Sequence, residues 1–169
     1  MPVHLLFINL VTDSLPAIAI GMERSTKDIL KEKPRNPSVG ILTPATMKQL
    51  GIQGILIAIV TMSAYFLGLK ESWAIATTMA FSTLCLSRLF HGFNCRSQRS
   101  LYRIGLFTNK YSILAFVIGF CFLNAILLWQ PLHSLFSVTT ITMTQLFTIY
   151  GLALIPTALI QLGRMLRHR

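Results

Sequence analysis

Residues 50–69 read LGIQGILIAIVTMSAYFLGL, a continuous apolar run without a single charged side chain. A helix of about 20 apolar residues crosses the ~30 Å of hydrocarbon in a bilayer. Runs of similar length and character lie at about 3–21, 74–93, 111–129 and 143–163. We therefore predict an all-α fold, a polytopic membrane helix bundle with five transmembrane helices, in which residues 1–169 form a single membrane domain.

The composition agrees with a membrane protein and excludes several other classes. Of the 169 residues 53% are hydrophobic and 12% are charged, whereas a soluble domain carries about 25% charged residues. Disordered chains have few apolar residues, which excludes disorder for a chain that is 53% hydrophobic. Disulfide scaffolds have many cysteines, and this chain has three. We expect the lipid bilayer to be a partner of this chain.

The basic residues are concentrated between the apolar runs on one side. Of the 15 Lys and Arg residues, six lie in 22–48, four in 94–110 and three after residue 163, while Lys70 and Arg88 lie elsewhere. Cytoplasmic loops of membrane proteins carry such an excess. We therefore expect a cytosolic loop at 22–48, a cytoplasmic C-terminus and an N-terminus outside. The net charge of +10 then reflects membrane orientation, and no nucleic-acid partner is expected.

The beginning of the chain is unusual for a complete membrane protein. The first apolar run starts within three residues of Met1, with no basic segment before it. A secretory signal peptide would have a positively charged segment and a small-residue cleavage site. We therefore expect the chain to be a piece of a longer protein.

Polar residues with oxygen atoms converge in the middle of the first run. Asn9 and Asp13 are four residues apart and Thr12 lies beside them, which places Asn9 and Asp13 on one helical face. Pro16 cannot donate to the carbonyl of Thr12, so the helix is expected to loosen there. An acid in a membrane helix needs a partner, and two interpretations remain: a cation site built from oxygen ligands, or a hydrogen-bond cluster that holds helices together.

The same residues carry a family resemblance. Residues 9–23, NLVTDSLPAIAIGME, resemble the sixth transmembrane helix of type II P-type cation-transporting ATPases, most closely calcium pumps of the sarcoplasmic/endoplasmic reticulum type and their bacterial relatives. Residues 28–37, DILKEKPRNP, resemble the cytosolic loop that follows that helix, and the other runs match helices seven to ten in number and spacing. The resemblance implies the C-terminal membrane portion of an ATP-driven cation transporter, with Ca²⁺ as the ion, in a bacterial plasma membrane. The alternative is a stand-alone five-helix scaffold or passive ion path.

The resemblance also implies roles for individual residues. Asn9 and Asp13 correspond to cation ligands, and Thr12 lies in the same ligand-bearing segment. Arg88 aligns with a glutamate ligand of the eighth helix, and a guanidinium cannot bind a cation. Two interpretations of Arg88 follow: it pairs with a carboxylate such as Asp13 and modulates the site, or it extends to the cytoplasmic interface near Asn94.

No catalytic or cofactor-binding residue is expected in this chain. The sequence contains no DKTGT or TGES motif, so we expect no ATP hydrolysis by this piece alone. The resemblance places ATP and Mg²⁺ in the rest of the pump. The expected protein partners are helices one to five and the phosphorylation domain, contacted through loop 22–48.

Two local signals concern the second apolar run. Thr43 and Pro44 form a helix-start pair, because proline is favoured at the first helical position. Gly51 and Gly54 lie on one side of the helix and predict a close contact with another helix there.

Overall fold

The computed structural model describes residues 2–23, 42–97 and 100–167. Its five long helices are α1 (Pro2–Gly21), α2 (Pro44–Leu69), α3 (Trp73–Cys95), α4 (Lys110–Leu128) and α5 (Met143–Arg167). All five are long and apolar enough to cross a membrane. Shorter pieces are the helices Leu101–Ile104 and Gln130–Phe136 and the 3₁₀ turn Leu106–Thr108. The predicted all-α bundle with five spanning helices is confirmed, and these three ranges contain no β-strand.

Helix α2 begins at Pro44, whereas the apolar run had predicted a start at residue 50. The side-chain oxygen of Thr43 accepts a hydrogen bond from the Thr46 N–H at 3.3 Å, which caps the first turn. Pro44 occupies a position where its missing N–H costs nothing. The last residues of the predicted loop 22–48 are therefore helical, and residues 24–41 of that loop lie outside the described part of the chain.

Helix α3 is the centre of the bundle. More than half of its apolar stretch is buried, against fewer than a third of the residues in each of the other long helices. It packs against all four of them, and its side chains Met79, Leu86 and Leu89 are buried in the core. Burial of the polar residue Thr78 is compensated, because its hydroxyl donates to the Ala74 carbonyl at 2.9 Å.

The close approach of α2 and α3 occurs at Gly68. A Cβ atom built there would lie 2.7 Å from the Cα of Ala76, closer than real Cβ atoms come to backbone. A Cβ at Gly51 or Gly54 would meet nothing within 4 Å. The predicted close contact at Gly51 and Gly54 is therefore not made by the residues that the structure describes, since their side of α2 faces outward from this bundle.

We expect Gly68→Ala to destabilise the bundle by about 1–3 kcal/mol, because the added methyl group must push two helix backbones apart. The measurement is the fraction of protein that stays monodisperse after heating in detergent. Gly151→Ala is the matched control, because a Cβ at Gly151 meets nothing within 4 Å. Equal melting of the two variants would contradict the close backbone packing.

Candidate cation site

The middle of α1 departs from regular α-helical geometry. Residues Ile8–Ser14 form a π-helical segment, in which backbone partners are five residues apart. The hydroxyl of Ser14 donates to the Asn9 carbonyl at 2.7 Å across this wider turn. Pro16 follows directly and has no N–H to give to the carbonyl four residues earlier. The predicted loosening of the helix at this level is confirmed.

The three candidate ligands occupy different environments along this segment. Asn9 is exposed and Asp13 keeps 41% of its side chain accessible, so both reach the surface of the bundle. Thr12 is buried, and its hydroxyl donates to the Ile8 carbonyl at 2.8 Å. The structure thus brings the carboxylate and the amide to the surface, and it turns the hydroxyl of Thr12 toward the backbone of its own helix.

Arg88 of α3 pairs with Asp13 of α1. Its Nη1 donates to Asp13 Oδ2 at 2.8 Å, and both side chains remain partly accessible. Of the two interpretations of Arg88, the structure has the carboxylate pairing rather than extension to the interface. An isolated acid at the centre of a membrane helix costs about 2.5–3.5 kcal/mol on insertion scales, and the guanidinium lowers this cost by compensating the charge.

The pairing leaves oxygen atoms that a cation could use. Asp13 Oδ1 and the side-chain amide of Asn9 accept no hydrogen bond within the described ranges. No three His, Cys, Asp or Glu residues gather at one point in residues 2–23, 42–97 and 100–167. A cation held here would therefore have one carboxylate and neutral oxygens from this chain. Calcium takes six to eight oxygen ligands, so further ligands must come from elsewhere.

Comparison with known families decides the identity of this bundle. The family model "Cation transporting ATPase, C-terminus" matches residues 1–166. The chain belongs to this cation-transporting ATPase family.

Three relatives in this ATPase family cover most of the chain. A calcium-transporting ATPase of Bacillus subtilis is 34% identical over 95% of the chain. A calcium-transporting ATPase of Listeria monocytogenes is 42% identical over 69% of it. The human calcium-transporting ATPase type 2C member 1 is 27% identical over 88%. The chain spans 18%, 13% and 16% of the length of these relatives, respectively.

Sequence reasoning missed two features of this bundle. The Ser14 side chain reaches the Asn9 carbonyl only because the turn is π-helical. A regular α-helix predicts Asn9 and Asp13 on one face and does not include Ser14 in it. Glu23 was counted among the loop residues, yet it bonds to Arg96 at the end of α3. The available signal for Glu23 was an acid two residues after the end of a helix, in a segment of net positive charge.

Proposed function

We propose that the chain is the C-terminal membrane portion, helices six to ten, of an ATP-driven Ca²⁺ transporter, here called the complete pump. In this proposal Asp13 and Asn9 are cation ligands, and Thr12 shapes the segment that carries them. The observation that carries the proposal is the Asp13–Arg88 pair in the π-helical segment of α1. Three relatives named as calcium-transporting ATPases support the choice of ion.

The exposed polar face of α1 supports the presence of a larger assembly. Asn9 and Ser14 are exposed and Asp13 is partly exposed in the middle of a membrane-length helix. Lipid provides no hydrogen-bond partners, so such groups lie against protein or a hydrated cavity. In the proposed pump, helices one to five cover this face and complete the ion site. The phosphorylation domain contacts loop 22–48, most of which lies outside the described residues.

In the proposed pump, this chain and the other domains have different roles. In this proposal the chain supplies oxygen ligands, a counter-charge and a bundle that braces them, and no catalytic or cofactor-binding residue is expected in it. ATP and Mg²⁺ are bound by the other domains of the complete pump, so this piece alone transports nothing and hydrolyses no ATP. Its proposed location is a bacterial plasma membrane, with the bilayer as the second partner.

The test of the proposed function is ATP-driven accumulation of ⁴⁵Ca²⁺ by sealed inside-out vesicles that contain the complete pump. We expect uptake that requires ATP and is released by a calcium ionophore. The coding sequence directly upstream should encode, in frame, a DKTGT segment. Absence of uptake together with a stop codon directly upstream would instead favour a stand-alone five-helix scaffold or passive ion path.

The orientation of the helices gives a separate prediction. The basic residues place the α3–α4 connection in the cytoplasm and the α4–α5 connection outside. In a variant without native cysteines, we expect Tyr102→Cys to react with a membrane-impermeant maleimide only from the cytoplasmic side. We expect Ser134→Cys to react only from the other side, and both positions are exposed in the structure. Labelling of position 134 from the cytoplasm alone would refute this topology.

A further inference from the structure

A second ion pair joins α1 and α3 at the end opposite to the N-terminus of α1. Arg96, the first residue after α3, contacts Glu23, which lies just beyond α1. Its Nε donates to Glu23 Oε2 and its Nη2 to Oε1, each at 2.9 Å. The third nitrogen, Nη1, donates to the Leu106 carbonyl at 3.0 Å. The guanidinium is therefore held on all sides, and its side chain is 0% exposed.

Asn109 extends this contact to α4. Its side-chain nitrogen donates to the Ala19 carbonyl at 2.9 Å and to Glu23 Oε2 at 2.6 Å. Its side-chain oxygen accepts from the backbone N–H groups of Tyr111 and Ser112, the first turn of α4. We call Glu23, Arg96 and Asn109 the Glu23 clamp. The clamp fixes the end of α1 to the end of α3 and to the start of α4.

The clamp and the candidate site differ in how firmly each is held. Two parallel hydrogen bonds to a buried guanidinium are stronger and more directional than one bond between accessible groups. Asp13 and Arg88 share one hydrogen bond, and 41% and 38% of their side chains are accessible. The hydrogen bonds from Arg96 hold the pKa of Glu23 below its usual range, so this carboxylate stays ionised at neutral pH. Its contribution is lost only as the pH falls through that lowered pKa.

The clamp lies close to Asp13 along α1. Only two turns of helix, Leu15–Gly21, separate the π-helical segment from the clamp, a distance of roughly 11 Å. These turns pack closely on α3, where a Cβ at Gly92 would lie 3.2 Å from Pro16. An axial shift of α1 by one residue, about 1.5 Å, would break the single bond between Asp13 and Arg88.

From this geometry we propose that Glu23 and Arg96 are positioning residues for the cation site: they fix the axial register of α1 on α3, so that Asp13 stands at the height of Arg88. The proposal rests on the proposed function, because it assigns the clamp a role in cation binding. It involves no contact between the clamp and the ion. In this proposal the clamp stays closed when the cation binds, and conformational changes at the site are confined to the π-helical segment Ile8–Ser14.

The test uses the complete pump with Arg96→Lys, which keeps the charge but cannot form two parallel bonds to the carboxylate. We expect the Ca²⁺ concentration for half-maximal phosphorylation by ATP to rise about tenfold. Phosphorylation by inorganic phosphate without Ca²⁺ should keep its maximal level, because the fold and the phosphorylation domain are intact. Lys110→Gln is the matched control, since Lys110 is an exposed basic residue of the same region, and it should leave both quantities unchanged.

A second variant keeps the proposal falsifiable if Arg96→Lys folds poorly. Glu23→Gln is nearly isosteric and should raise the half-maximal Ca²⁺ concentration in the same way. The double variant should be no worse than the more affected single variant, because both changes break one interaction. An unchanged Ca²⁺ dependence, or a proportional loss of both phosphorylation reactions, would overturn the positioning role. A wild-type pump that shows no Ca²⁺-dependent phosphorylation would instead refute the proposed function.

Discussion

Asp13→Asn is expected to abolish Ca²⁺-dependent phosphorylation of the complete pump by ATP. Asp13 is the single carboxylate that the described part of α1 offers at the site, and calcium is a hard cation that needs negatively charged oxygen. The amide keeps the size of the side chain but removes its charge. It also removes the negative charge that compensates the Arg88 guanidinium, which leaves an uncompensated positive charge where the cation should bind.

The measurement is the phosphoenzyme formed from [γ-³²P]ATP over a range of Ca²⁺ concentrations. Glu71→Gln is the matched control, because it makes the same acid-to-amide change in the connection between α2 and α3. We expect that control to behave as the wild type, and Asn9→Ala to weaken Ca²⁺ dependence less than Asp13→Asn does. A normal Ca²⁺ dependence in Asp13→Asn would assign the polar cluster to helix packing.

The second large effect concerns the number of bound ions. We expect one Ca²⁺ per phosphorylation site in the wild-type pump and two in Arg88→Glu. The resemblance described above aligns Arg88 with a glutamate ligand of the two-ion calcium pumps, and in that alignment a second ion would lose a ligand and meet a fixed positive charge. At a few ångströms and an effective dielectric near 20, this repulsion amounts to several kcal/mol. The remaining ion lies by Asn9 and Asp13 in this proposal.

Equilibrium binding of ⁴⁵Ca²⁺, normalised to the maximal phosphoenzyme, measures this ratio directly. Arg88→Lys is the control that keeps the positive charge, and it should keep a ratio of one. Two ions per site in the wild type would show that Arg88 does not replace a ligand. A ratio of one in Arg88→Glu would show that the other ligands of a second site are missing as well.

The fold was predictable from the sequence because lipid imposes a strict length requirement. About 20 apolar residues per span is a local property, so five runs gave five helices without knowledge of their contacts. The helix ends were less predictable. Polar residues continue α2 as far back as Pro44, and hydropathy alone contains no signal for a helix that begins before its apolar run.

Contacts between helices were predictable only in part. The charges of Asp13 and Arg88 suggested a pair, because two opposite charges at membrane depth seldom remain apart. The contact predicted at Gly51 and Gly54 was wrong, although their spacing is typical of a packing face. The close contact is at Gly68, because the turn between α2 and α3 brings it against Ala76. The bond between Glu23 and Arg96 joins residues 73 positions apart, and no local sequence pattern predicts a contact between residues so far apart in the chain.

The position of Arg88 in the most buried helix has a consequence for biosynthesis. Helix α3 has the lowest mean hydropathy of the five, 1.2 against 1.7 to 2.3 for the others, and an arginine within a membrane helix adds to the cost of insertion, up to about 2.5–3.5 kcal/mol at the helix centre. Asp13 lies in α1, which leaves the ribosome before α3 does. The acid that pairs with Arg88 in the folded bundle is therefore synthesised first, and its charge can compensate the guanidinium as α3 enters the bilayer.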